Sequence, residues 1–106
     1  MAGGNNTYSG RVEVFTRNQW GTVCDDGWQL NDASVACRQL GFPYGASQAI
    51  SQFGGGTGPI WLDNLGCYAT GNSLFNCVGN PIGVHNCVHS EDAGAVCIPV
   101  RKFEMF

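Results

Sequence analysis

A small α+β domain stapled by disulfides is what this sequence predicts, and three observations carry that reading. Six cysteines, at positions 24, 37, 67, 77, 87 and 97 of 106 residues, include no C-x-x-C pair. An even number without metal-type spacing favours three bridges over a zinc site or a redox motif. Sixteen glycines and four prolines against two methionines describe loops around a modest core, the kind of core that cross-links supplement. Several short strand patterns surround one clear helical pattern, and the length allows a single domain.

The first element is GRVEVFTR, which alternates as a strand with Val12 and Val14 on one face and Arg11, Glu13 and Arg17 on the other, although Phe15 breaks the alternation. WGTVC follows after Asn18-Gln19, close enough for a hairpin, and would put Thr22 and Cys24 on one face. In DASVACRQLG, Ala33, Ala36, Cys37 and Leu40 recur at helical spacing; Asn31 or Asp32 caps the first turn, and Gly41 with Pro43 ends it. Cys37 then faces the core, placed to tether the helix to a strand elsewhere. FGGGTGP reads as a flexible loop, since Pro59 stands where a G-x-G-x-x-G phosphate cradle needs its last glycine. PIWLD is a short strand with Ile60 and Leu62 opposed to Trp61; GNSLFNC offers one helical turn started by Asn72 or Ser73; AGAVCI is the last strand. The sheet expected from these pieces is short and strongly curved.

Disulfides persist in an oxidising compartment, so the chain is expected to be secreted or the extracellular portion of a membrane protein. No signal segment opens it, and its longest apolar run, AGAVCIPV, is too short to enter a bilayer as a span. The expectation is a piece of a longer extracellular chain, with residues 3–98 as one domain and residues 1–2 and 99–106 as added or linker ends. Asn5 opens an Asn-Asn-Thr glycosylation sequon, which agrees with a secreted glycoprotein. A net charge of −3, with Arg101 and Lys102 in the tail, lacks the basic footprint of a nucleic-acid binder. No G-x-S-x-G, H-E-x-x-H or free-cysteine dyad points to an enzyme.

Read in order, GRVEVF, WGTVCDDGW, ACRQLGF, GPIWLDNLGC, SLFNC and HNCVHSEDAGAVC resemble the scavenger receptor cysteine-rich (SRCR) domain of the six-cysteine, group A type. The resemblance implies a curved antiparallel sheet cradling one main helix, with long loops. It also implies pairing of Cys24 with Cys87, Cys37 with Cys97 and Cys67 with Cys77; sequence alone leaves fifteen pairings open. It implies a non-enzymatic, ligand-binding module of innate immunity, often one among other domains of a parent chain. Its ligands would be microbial surface polyanions such as lipopolysaccharide and lipoteichoic acid, or a host protein, bound with help from calcium. A metal-independent structural or protein-interaction domain is the alternative. The chain departs from the family pattern at Ile82, where tryptophan is usual, and at Asn64, where a second aspartate is common. Its opening strand is also cut short before Gly3.

Only 12% of the residues are charged, yet Asp25 and Asp26 stand side by side. Neighbours in a strand point to opposite faces, so both serve one site only if the chain turns, which Gly27 permits. Two adjacent carboxylates are costly unless a cation or a guanidinium such as that of Arg38 lies between them. The implied Cys24–Cys87 bridge draws in Glu91 and Asp92 from HSEDAG. Asp25, Asp26 and Glu91 are the positions at which the family's calcium cluster is implied, and hard oxygens suit Ca²⁺. The bland reading is that Asp-Asp-Gly is ordinary turn chemistry, with Asp25 capping a backbone N–H or pairing with an arginine such as Arg38.

Asp63, Asn64 and Asn86 form a weaker second candidate, for which a structural turn is the simpler reading. Arg11 and Arg17 are candidate anion contacts, against a solvated face. His85, Cys87 and His89 spell H-x-C-x-H, but a bridged Cys87 has no thiolate for zinc. Trp20, Trp28 and Trp61 read as core or near-core residues.

Overall fold

The computed structural model describes residues 3–4, 7–68 and 70–99. Asn5 of the sequon and the tail residues Arg101 and Lys102 lie outside them. The α+β class holds: among the described residues six strands form two three-stranded sheets beside one α-helix. The single curved sheet expected from the sequence is therefore divided.

The division falls inside GRVEVFTR. Strand β1, Ser9–Arg11, pairs antiparallel with β6, Gly94–Cys97. Strand β2, Glu13–Thr16, pairs antiparallel with β3, Gln19–Val23. Val12 is the crossing point, buried, with its N–H donated to the carbonyl of Ala93. Because Val12 and Val14 are buried on both sides of the break, a period of two runs through it unaltered. Arg17 and Asn18 carry positive φ values of 52° and 67°, the two-residue hairpin geometry that matches strand twist. Phe15 breaks the alternation because it faces outward, directly across from Trp20 with ring centroids 5.3 Å apart.

Helix α1 spans Leu30–Gln39, and its N-cap is Gln29 rather than Asn31 or Asp32. Asp32 acts from inside the first turn: its Oδ2 accepts the Gln29 N–H at 2.7 Å, and its Oδ1 accepts the Cys67 N–H at 2.7 Å. The buried stripe also differs from expectation. Ala33, Ala36 and Cys37 are buried as expected, but Leu40 is exposed and Val35 is buried. Leu40 is the C-cap, where the chain leaves the helix, while the loop at Gly71 closes over Val35.

Strand β4, Ala46–Ile50, has no counterpart in the sequence reading. It pairs with β6 through an irregular register between Ala46 and Gln48, and its outward Ser47 and Gln48 give no apolar alternation. Strand β5, Ile60–Leu62, buries Ile60 and Leu62 as expected and runs parallel to β3. Single 3-10 turns occur at Leu74–Asn76, capped by Ser73, and at His89–Glu91. Trp28 is buried and donates its indole N–H to Gly94, Trp61 is partly buried, and Trp20 is exposed, against expectation. Ile82 packs at the edge of the core.

The three bridges pair Cys24 with Cys87, Cys37 with Cys97 and Cys67 with Cys77. Cys37–Cys97 ties α1 to β6 through two fully buried residues. Among the described residues no helix is long and apolar enough to cross a membrane.

Candidate functional site

The acidic site is assembled where β3 ends. Cys24 pairs with Asp92 through an isolated bridge, Val23 accepts the Ala93 N–H, and the Asp25 N–H donates to the Glu91 carbonyl at 2.7 Å. The Cys24–Cys87 bridge closes the same neighbourhood covalently. Past Asp25 the chain turns, with the Trp28 N–H bonded to the Asp25 carbonyl and Gly27 at φ 74°. A positive φ at the third position suits glycine. Both aspartates are half-buried at this turn.

One carboxylate oxygen each from Asp26 and Glu91, with the sulfurs of Cys24 and Cys87, lie within 4.8 Å of one another. Both sulfurs are oxidised, so only hard oxygen ligands remain. Asp25 stands outside this tight set but adds its charge to it. The Asp26 carboxyl is held above the usual range, first by burial and then by the charges of Asp63, Glu91 and Asp25. Among the described residues, the charged groups acting on Asp26 are all carboxylates.

Asp63 belongs to this neighbourhood, although the sequence assigns it to a separate second site. It follows β5, whose Leu62 carbonyl accepts the Cys24 N–H at 2.8 Å, so the parallel pairing delivers it beside the Asp-Asp-Gly turn. It is buried; its Oδ2 takes long bonds from Asn64 (3.5 Å) and Asn80 (3.4 Å), and its Oδ1 has no partner among the described residues. An orphaned buried carboxylate oxygen is costly, and a bound cation is the counterpart that would relieve it. Asn64 is exposed at φ 56°. The Oδ1 of Asn86 lies 3.7 Å from Cys87 Sγ, the same sulfur that Asp26 Oδ2 approaches at 3.7 Å. Asn80 is the residue missed in the sequence, where Gly79-Asn80-Pro81 signals only a turn.

The arginines serve elsewhere. Arg11 gives Glu13 two bonds, of 3.1 and 3.0 Å, and donates to the carbonyls of Phe53 and Gly54. Arg17 is not on the same strand as Arg11 but in the β2–β3 turn, over the Trp61 ring. Arg38 donates to the Gly71 carbonyl.

Asp92, beside Glu91 in sequence, is a structural anchor. Buried, it accepts bonds from the Thr22 hydroxyl, the Gly56 N–H and His89 Nδ1 at 2.7 to 2.9 Å. His89 Nε2 also reaches the Gly58 carbonyl at 2.9 Å, and only an imidazolium donates to both acceptors. The Asp92 bond and then the Gly58 carbonyl raise the His89 pKa, against burial and Arg11. A raised folded value means this stabilisation is complete below the ordinary histidine pKa and lost as pH rises through the folded one. Urea midpoints measured across that window should fall for the native chain and stay flatter for His89→Gln. His85 instead accepts the Cys87 N–H at Nδ1.

The model of the scavenger receptor cysteine-rich domain matches residues 2–98. The chain belongs to the SRCR family. As an SRCR domain it is an extracellular ligand-binding module. It is 56% identical over 97 residues to the macrophage receptor MARCO of Mus musculus, covering 92% of this chain and 18% of that protein. Lysyl oxidase homolog 4 of Bos taurus is 52% identical over 99 residues, covering 92% and 13%. This SRCR chain thus spans under a fifth of either relative. Among solved structures, the dimeric form of the SRCR domain of mouse MARCO superimposes with a TM-score of 0.80 at 53% identity, covering 92% of each chain. The third SRCR domain of murine neurotrypsin gives 0.82 at 50% identity, covering 93% of this chain and 94% of that one.

Proposed function

We propose that this SRCR domain captures polyanionic ligands, of microbial surfaces or of the host, with calcium held by Asp25, Asp26 and Glu91. The observation that carries the reading is the convergence of the Asp26 and Glu91 carboxylates within 4.8 Å of one another, with Asp63 and Asp25 adding their charge. Hard oxygens near one another, one of them already engaged at the Val88 N–H, leave a flexible coordination shell that suits Ca²⁺ better than Mg²⁺. Asp63, with Asn64 and Asn86, would hold a second, weaker ion, and the orphaned Oδ1 supports its inclusion. A bound cation would supply open positions for phosphate, sulfate or carboxylate groups.

Exposed Arg17 would add an anion contact at the far end of its hairpin, whereas the Arg11 charge is already held by Glu13. The resemblance to a macrophage receptor supports a place in innate immunity, in the extracellular part of a larger chain. A lone site of this size binds weakly and gains strength by repetition.

Capture of lipopolysaccharide and lipoteichoic acid on beads, with calcium or with chelator, tests the proposal. Binding should be lost with chelator and in Asp26→Asn. Capture indifferent to both would instead support a metal-independent interaction domain.

A further inference from the structure

A second site lies away from the carboxylates. The glycine-rich loop, read from sequence as flexible, is pinned: Gly56 donates to Asp92, Gly58 accepts from His89, and Phe53 and Gly54 accept from Arg11. Side chains are excluded where it seats. A Cβ at Gly56 would stand 2.9 Å from Thr22 Cγ2 and 3.1 Å from Arg11 Nε. Between this loop and the β2–β3 hairpin is a cleft of about 450 Å³, lined by Trp20, Glu13, Gln19, Thr57 and the loop backbone among others.

The chemistry of the cleft is mixed in a particular way. Trp20 is 61% exposed and its ring is steadied by Phe15. It offers a flat apolar face in a wall that also carries the Gln19 amide, the Thr57 hydroxyl and the Arg11–Glu13 ion pair. Glu13 takes both arginine bonds on Oε2, which leaves Oε1 as an acceptor. Arg11 lines the same cleft, but its charge is cancelled by Glu13 at 3.0 Å, so a phosphate or sulfate would meet a neutral ion pair whose free oxygen is a carboxylate. An uncharged ring with one apolar face and hydroxyls around its edge fits this lining: the face on the indole, the hydroxyls to Glu13, Gln19 and Thr57.

We propose that this cleft is a binding site for a neutral pyranose sugar, independent of calcium and of the acidic cluster.

The test is an NMR titration of the oxidised domain with methyl glycosides of glucose, galactose, mannose and N-acetylglucosamine. Two further arms use β-linked glucose oligomers of microbial-wall type and a galactose-terminated glycan of host type. The Trp20 indole N–H and the amides of Gly55 to Gly58 should shift saturably with at least one neutral sugar, unchanged by chelator or by Glu91→Gln. Whichever oligomer binds more tightly identifies the source. Trp20→Ala should weaken binding by about tenfold or more, and Trp20→Phe should restore much of it. Absence of saturable shifts with every neutral sugar, undiminished binding by Trp20→Ala, or tighter binding of a sulfated sugar than of its neutral parent would each overturn the proposal.

Discussion

Replacing Cys37 and Cys97 together by alanine lowers the unfolding free energy by about 4 kcal/mol in the chain-entropy relation, a loss matched among the three bridges only by Cys24–Cys87, which spans 63 residues. The two residues are 60 apart in sequence, and closing so long a loop restricts the unfolded chain strongly. A Cys67/Cys77 double replacement opens a loop of separation only 10 and should lose roughly 3 kcal/mol. The first pair also ties α1 to β6 with both side chains fully buried, whereas Cys77 is only partly buried, so its removal leaves the larger packing defect. Against a total of about 5–15 kcal/mol for a domain of this kind, the Cys37/Cys97 variant should be partly unfolded at body temperature. Guanidinium unfolding of both variants, compared at equal slope, gives the order. A greater loss from the short loop would contradict the assignment of Cys37–Cys97 as the main tether.

Asp92→Ala should cost about 3–5 kcal/mol, the range for leaving partners of a buried charge uncompensated. Its carboxylate is almost fully buried and holds the Thr22 hydroxyl, the Gly56 N–H and the His89 ring together. Three donors from β3, the glycine loop and the His89–Glu91 turn would lose their acceptor at once. Asp92→Asn retains one acceptor oxygen and should recover part of the loss. The effect would extend to the proposed calcium site, because Glu91 lies in the same turn as His89. Urea unfolding supplies the magnitude. Amide exchange at Gly56 should rise in the alanine variant well above its value in the native chain, whereas a stability change under about 1 kcal/mol would contradict the anchoring role.

Local signals made part of this molecule legible in its sequence. Ala33, Ala36 and Cys37 announce the helix face, Ile60 and Leu62 against Trp61 announce β5, and Asp25-Asp26-Gly27 announces the turn. The break at Val12 was hidden because residues on both sides keep the same buried alternation. Strand β4 was hidden because Ser47 and Gln48 face outward and its pairing with β6 joins residues far apart in sequence. The site shows the same limit. The cysteine pairing implied by family resemblance brought Glu91 to Asp26, but the approach of Asp63 depends on the parallel pairing of β3 with β5, which no local pattern encodes. Asp92 looked like one more carboxylate of the cluster; its three bonds become visible only when the glycine loop is seen folded against it.

The central claim is that the carboxylates gathered around the Cys24–Cys87 bridge form a calcium site. Calorimetric titration of Ca²⁺ into the oxidised domain and into a folded Asp26→Asn/Glu91→Gln variant tests it most directly. The account predicts saturable, chelator-reversible binding by the native chain that is lost in the variant. No heat of binding in the native chain, or the same isotherm in both, would contradict it.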